Sequence, residues 1–207
     1  MRWLAVCLLA IIGRVNMWLQ WILAVFFRSK RLPKLDVTAV SRIRYRVLPT
    51  DVDFLLHMNN GRYFSYLDLG RVNLLARTGL DKVLSAQGIY AVVASNTMTY
   101  RKSLKLFQAF DIESRFIGTD DRNFYIEQRF VVNDELYARG IIKGRLIKKG
   151  VGPLKVPELN EVTGYDWVSW RVDPAIHEWA ESVRLPPAKA DAPNVWPEPA
   201  PTAPRGK

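Results

Sequence analysis

The run over residues 62–77 constrains this chain more than any other. At 3.6 residues per turn, Tyr63, Phe64, Tyr66, Leu67, Leu69, Val72, Leu74 and Leu75 point almost all round the axis. A helix apolar on most sides is stable only when most sides are covered. Its ends carry boundary signals: Asn59 suits the N-cap, and Gly79 suits the C′ position, where a left-handed residue closes the last turn. The rest of the domain must therefore wrap around it.

Strands supply the wrapping. Residues 42–47 alternate Arg42, Arg44 and Arg46 with Ile43, Tyr45 and Val47, the period-two pattern of a half-buried strand. Residues 89–99 are rich in β-formers, and Tyr100-Arg101-Lys102-Ser103 makes a basic break. Phe110, Ile112, Ser114 and Phe116 alternate with Asp111, Glu113 and Arg115, and Phe124, Ile126, Gln128 and Phe130 with Tyr125, Glu127 and Arg129. Residues 136–147 continue the alternation, and turn signals at Gly118-Thr119-Asp120-Asp121 and Asn133-Asp134 mark hairpins. A strand, a long helix and then further hairpin-linked strands predict an α+β domain, an antiparallel sheet around one helix. It is expected over residues 42–150. Residues 151–184 read as a C-terminal extension with a short helix from Asp173, as N-cap, and Pro174 to about Val183. His177 and Trp179 are its packing residues. Residues 185–207, rich in proline and alanine, read as an extended or disordered tail.

Residues 1–27 are almost wholly apolar and long enough to cross a bilayer, with Gly13, Asn16, Gln20 and Ala24 along one side. Arg14 near the middle is costly in hydrocarbon, which keeps an in-plane amphipathic anchor open as the alternative. No small-x-small site precedes Arg28, so an uncleaved membrane anchor is expected. Arg28, Lys30, Arg31 and Lys34 lie in a basic linker over 28–41. By the positive-inside rule they put the following domain in the cytoplasm, and they suit an anionic membrane surface. The net charge of +10 raises nucleic acid as a partner. Against that, the basic residues are spread along strands, and no helix-turn-helix, zinc-finger or RNA-recognition signature is present. Cys7 is the only cysteine, so one chain holds no disulfide or cysteine-based zinc site, and no metal or cofactor is expected.

Between the first strand and the helix lies a loop holding Asp51, Asp53, His57, Asn59 and Asn60. It ends at a helix N-terminus, where backbone N–H groups lack partners and the dipole is positive. A polarised carbonyl is stabilised there, with a carboxylate close enough to act on it. Asp51 reads as a turn former or helix-approach cap. Asp53 is either the reactive acid or a plain loop acid, His57 a structural hydrogen-bonding residue or a base, and Asn59 chiefly a cap.

Residues 42–71 resemble the first strand, active-site loop and central helix of hotdog-fold acyl-CoA thioesterases of the 4-hydroxybenzoyl-CoA thioesterase type. Those carry Asp-x-Asp followed by His-x-Asn-Asn-x-x-Tyr, here Asp51-Val52-Asp53 and His57-Met58-Asn59-Asn60-Gly61-Arg62-Tyr63. The chain is more similar still to the family of thioesterase superfamily member 6, through Leu56-His57-Met58-Asn59-Asn60, Arg101-Lys102-Ser103-Leu104-Lys105-Leu106 and Asp120-Asp121-Arg122-Asn123-Phe124-Tyr125. The likeness covers roughly residues 42–147. It implies a hotdog fold and hydrolysis of acyl-CoA thioesters, chiefly of fatty acyl chains, by a homodimer or tetramer with the site between subunits. Asp53 then matches the nucleophile or general base, and the Asn60 N–H is a donor to the thioester oxygen. His57 and Asn59 shape the loop or bind water, and Tyr63 and Asp68 stand beside the substrate. Asp68 has the alternative of satisfying Arg71. Arg101, Lys102 and Lys105 match the coenzyme A phosphates, or are an ordinary solvated edge. The common form has glycine where this chain has Leu56, which narrows or reshapes the pocket. A rival reading is a non-catalytic hotdog module that binds acyl groups or lipids at a membrane surface.

Overall fold

Strand β1 (Ser41–Arg46) leads through a single 3-10 turn, Pro49–Asp51, and a hairpin loop into helix α1 (Asn60–Thr78). The computed structural model describes residues 32–195. The expected anchor at 1–27, the first basic residues after it and the end of the tail lie outside the described residues. Among the described residues, no helix is long and apolar enough to cross a membrane.

Asn59 caps α1 as its sequence position predicts, its Oδ1 accepting from Gly61 N at 2.9 Å. Gly79, with φ +76°, ends α1 in the left-handed conformation. A short helix, α2 (Leu80–Ala86), starts immediately afterwards and buries Leu80 and Leu84. Four strands follow: β2 (Ile89–Tyr100), β3 (Ala109–Thr119), β4 (Asn123–Val132) and β5 (Glu135–Lys148). Their order is β1-β3-β4-β5-β2, antiparallel throughout, with a two-residue β6 (Gly152–Pro153) on β5. The Asn133-Asp134 turn joins β4 to β5 with both residues at positive φ, the conformation a tight two-residue hairpin turn demands.

The sheet closes on α1 less completely than its all-round apolar pattern predicts, leaving Phe64, Val72 and Leu75 half-buried and Asp68 exposed along one side. Tyr66, Leu67, Leu69 and Leu74 are fully buried against the sheet. Helix and sheet approach tightly at Gly70, where a Cβ would lie 2.6 Å from Gln128 Nε2 and 2.8 Å from Ile112 Cγ2. A larger residue at that crossing would have to displace the side chains of Gln128, Ile112 and Ser114. Gln128 Nε2 then donates to Leu67 O at 3.0 Å and to Ser114 Oγ at 2.8 Å, tying helix to strands at the same point.

The segment before β1 is docked rather than free. Val37 is buried, Leu35 N donates to Arg77 O, and Arg77 Nε donates to Pro33 O, both at 2.9 Å. After β6, helix α3 (Val156–Thr163) buries Val156 and Leu159. Helix α4 (Pro174–Ser182) starts at Asp173, whose side chain accepts from Ala175 N at 2.8 Å.

Candidate functional site

The loop before α1 is a small hairpin. Val52 bridges Met58, Asp53 N donates to His57 O at 2.9 Å, and Met58 N donates to Leu104 O at 2.8 Å. Phe54, Leu55 and Leu56 form its exposed tip, with Phe54 91% accessible. Leu56 has φ +60°, the left-handed conformation glycine occupies without strain.

The two acids of this loop have opposite environments. Asp51 is fully buried: its Oδ2 accepts from Leu48 N at 2.9 Å and from the Tyr66 hydroxyl at 2.7 Å. Its Oδ1 accepts from Arg62 Nε at 2.8 Å and Nη2 at 2.6 Å. Every lone pair is committed to holding the loop on α1. Asp53 is half-buried, and its Oδ1 accepts from Leu55 N at 2.9 Å, a local turn that orients the carboxylate and leaves Oδ2 without a bond among the described residues. The N–H of Asn60, in the first turn of α1, likewise has no hydrogen-bond acceptor among the described residues. His57 runs alongside Lys105 in an isolated bridge.

Tyr63, expected beside a substrate, is instead in the core. Its ring meets Phe130 at 4.9 Å and Tyr100 at 5.0 Å, and its hydroxyl accepts from Leu104 N at 3.2 Å. Of the three basic candidates, Arg101 and Lys102 share one carboxylate, Glu135 Oε1, at 2.6 and 2.7 Å. Lys105 forms no ion pair among the described residues, which leaves it the freest cation of the three.

A cavity of about 490 Å³ opens between α1 and the sheet. Its walls are Leu69, Val72 and Leu75 from α1, residues 91–93 of β2, and Phe124, Ile126 and Ile142. Ser65, Asp68 and Arg71 supply its polar rim. Asp68 pairs with Arg71, which also donates to Gln128 Oε1 at 3.1 Å. Burial pushes the Arg71 guanidinium down to about 10, so it stays cationic at neutral pH. Asp68 thus does both things its position allowed, satisfying Arg71 and bordering a cavity. Asp53, His57, Asn59 and Asn60 do not line that cavity in the same chain. No cluster of His, Cys, Asp or Glu among the described residues is placed to hold a metal.

Most of the cavity was missed by reading the sequence. A signal existed on the helix, because Ser65, Asp68, Leu69 and Val72 fall on one stripe at i, i+3, i+4, i+7. None existed for Phe124 or Gly144, which meet only through strand register.

A curled antiparallel sheet closed on one long helix, entered through a loop of paired acids and His-x-Asn-Asn, defines a hotdog-fold protein of the thioesterase type. Residues 47–187 match the Thioesterase-like superfamily, and the chain belongs to that family. It is 40% identical to Protein THEM6 of Xenopus laevis over 110 residues, 53% of each chain. Against Protein THEM6 of Drosophila melanogaster it is 32% identical over 143 residues, 68% of this chain and 74% of that one. The chain thus spans about half the length of the frog relative it matches. The solved structure of YbaW, a probable thioesterase from Escherichia coli, has the same fold. Its TM-score is 0.55 at 22% identity, covering 58% of this chain and 94% of that one.

Proposed function

We propose that this chain hydrolyses acyl-CoA thioesters of fatty acids, with Asp53 as nucleophile or general base at a site completed between two copies. The observation that carries this reading is the cavity on α1, an apolar slot with a charged rim in a member of a thioesterase-like family.

Thioester hydrolysis needs an attack on the carbonyl carbon and a donor for the oxygen that becomes negative. Acting as base, Asp53 Oδ2 takes a proton from water, whose oxygen bonds to the carbonyl carbon. The tetrahedral oxyanion faces the Asn60 N–H at the positive end of α1. Collapse breaks the carbon–sulfur bond and releases coenzyme A, its sulfur taking the proton. Acting as nucleophile, the same carboxylate displaces the thiolate to give a mixed anhydride that water then opens. In both versions Leu55 N, bonded to Oδ1, aims the other oxygen. His57 and Asn59 shape the loop around it.

Asp53 stands outside its own chain's cavity, which supports a partner copy as the source of the second half of the site. Lys105, with Arg101 and Lys102 behind it, takes the coenzyme A phosphates. Residues 1–27 anchor the domain to a membrane, with the basic linker against anionic headgroups on the cytoplasmic face.

Leu56 at positive φ favours a second reading, a module that holds acyl groups without cleaving them, because a strained leucine occupies the place where glycine lets the backbone approach a carbonyl. One experiment separates the two. The full chain, purified in mild detergent, is assayed on a panel of acyl-CoAs beside Asp53→Asn and Asp68→Asn. The expected result is hydrolysis that falls roughly 10²–10⁴-fold in Asp53→Asn. Undiminished activity in that variant removes Asp53 from the mechanism, and its loss in Asp68→Asn alone transfers the role to the helix. Tight binding without turnover establishes the module.

A further inference from the structure

The cavity on α1 has an open side and a closed side. Asp68, on the rim, has 62% of its side chain exposed, whereas Phe124 is only 9% exposed. Inward positions on β5 recur every second residue: Ile142 and Gly144 line the cavity, and Leu146 lies behind them. Phe124 pairs with Gly144 across the sheet and occupies the space a side chain there would need. A Cβ on Gly144 would lie 2.1 Å from Phe124 Cζ. The same phenylalanine also borders a second, much smaller void of about 10 Å³, where Leu146, Leu154, Val156 and Leu159 meet the more polar Arg122, Asn123 and Lys155. The Phe124 ring therefore stands between the cavity and a small gap against Leu146, Leu154 and Leu159.

That ring is braced. Phe116 meets it edge-on at 6.1 Å, and Trp167 meets Phe116 in turn at 5.2 Å. Leu154, Val156, Leu159 and Trp167 all belong to the segment after β5, so the C-terminal extension builds the backing of the wall.

We propose that Phe124 is the length-determining residue for the acyl chain. The thioester lies toward the Asp68 rim, and the methyl end of the chain stops against the Phe124 ring. This inference rests on the acyl-thioester reading above and deepens it. Shrinking the ring frees its own volume, deepens the cavity toward Leu146, Leu154 and Leu159 and admits longer chains. Enlarging it moves the wall inward.

The test uses the full chain in mild detergent with butyryl-, octanoyl-, lauroyl- and palmitoyl-CoA, for the native protein, Phe124→Leu and Phe124→Trp. Both variants keep a large apolar side chain at a core position, and circular dichroism with thermal melting establishes that they fold. The expected result is that the palmitoyl to octanoyl ratio of kcat/KM rises about tenfold in Phe124→Leu and falls in Phe124→Trp. Folded variants with the native length profile, or shifted in the same direction, overturn the assignment and leave thioester hydrolysis standing. Where the native protein turns over none of the four, the same panel is read as binding by titration calorimetry. A length optimum that moves oppositely in the two variants then supports the wall without catalysis. Absence of binding at every length overturns both readings.

Discussion

Two aspartates two positions apart carry different work, and their hydrogen bonds separate them. Asp51 holds Arg62, the Tyr66 hydroxyl and Leu48 N from a fully buried position. Removing its charge leaves Arg62, with 17% of its side chain exposed, without its counter-ion. Breaking such a pair costs about 3 kcal/mol. Asp51→Asn is therefore expected to lower Tm by roughly 10 °C. Asp53→Asn keeps an oxygen for Leu55 N, so its melting curve is expected to overlay the native one. An Asp51→Asn protein that melts at the native temperature would show that the buried network does not hold the loop. Leu56 marks the cost of this loop, since a left-handed leucine is disfavoured by about 1 kcal/mol.

The larger elements were legible in the sequence because their patterns are long. The all-round apolar run became α1, and each alternating stretch became a strand of the sheet. Helices α2 and α3 were not, since seven or eight residues burying two side chains each give no periodicity above noise. The Asp51 network and the burial of Tyr63 depend on how the loop folds back on α1, which motif spacing does not encode. Helix α4 was legible through Asp173-Pro174, but what holds it was not. Lys143 Nζ, nearly buried, donates to Ala180 O and Glu181 Oε1, both at 3.2 Å. Asp120 accepts from the Tyr125 hydroxyl at 2.7 Å beneath the same helix. Hydrogen bonds from Lys143 and then Arg184 hold Glu181 below its ordinary range. At Asp120 burial opposes ionisation, but donations from Arg122 N, Asn123 and Tyr125 outweigh it and the value is also lowered. Both groups bind protons more weakly folded than unfolded. The stability they contribute is complete above the ordinary values of 3.8 and 4.5 and is lost as pH falls through the lower folded ones. Release of α4 ahead of the sheet is the expected acid response. Limited proteolysis across a pH series checks it, with cuts near residues 173–184 appearing only once the pH falls below the ordinary carboxylate values, and in Glu181→Gln at higher pH than in the native chain. Cleavage that starts in the sheet would refute this order.

At the scale of the molecule, the sheet has two edges that differ in kind. On β1, Arg42, Arg44 and Arg46 point outward, and Arg42 and Arg44 pair with Glu113 and Asp111 on β3, an edge guarded by charge. On β2, Tyr90, Val92 and Val93 are exposed, and Val92 and Val93 also help to wall the cavity. If the site is completed between two copies, as proposed, this unguarded apolar edge is where the second copy is expected to join. Pairing there would extend the sheet and bring a partner's loop, with its exposed Phe54 and Leu55 and its Asp53, toward the open side of the cavity. The full chain in mild detergent is expected to sediment as a dimer at micromolar concentration. A lysine on the edge, Val93→Lys, imitates the guard that β1 already carries, and is expected to shift the protein toward monomer. It is expected to reduce acyl-CoA hydrolysis at least about tenfold when the protein is dilute, with activity recovering as concentration rises by mass action. A native chain that stays monomeric and fully active across the same range would place the whole site within one copy and favour Asp68, on the cavity rim, over Asp53 as the reactive acid.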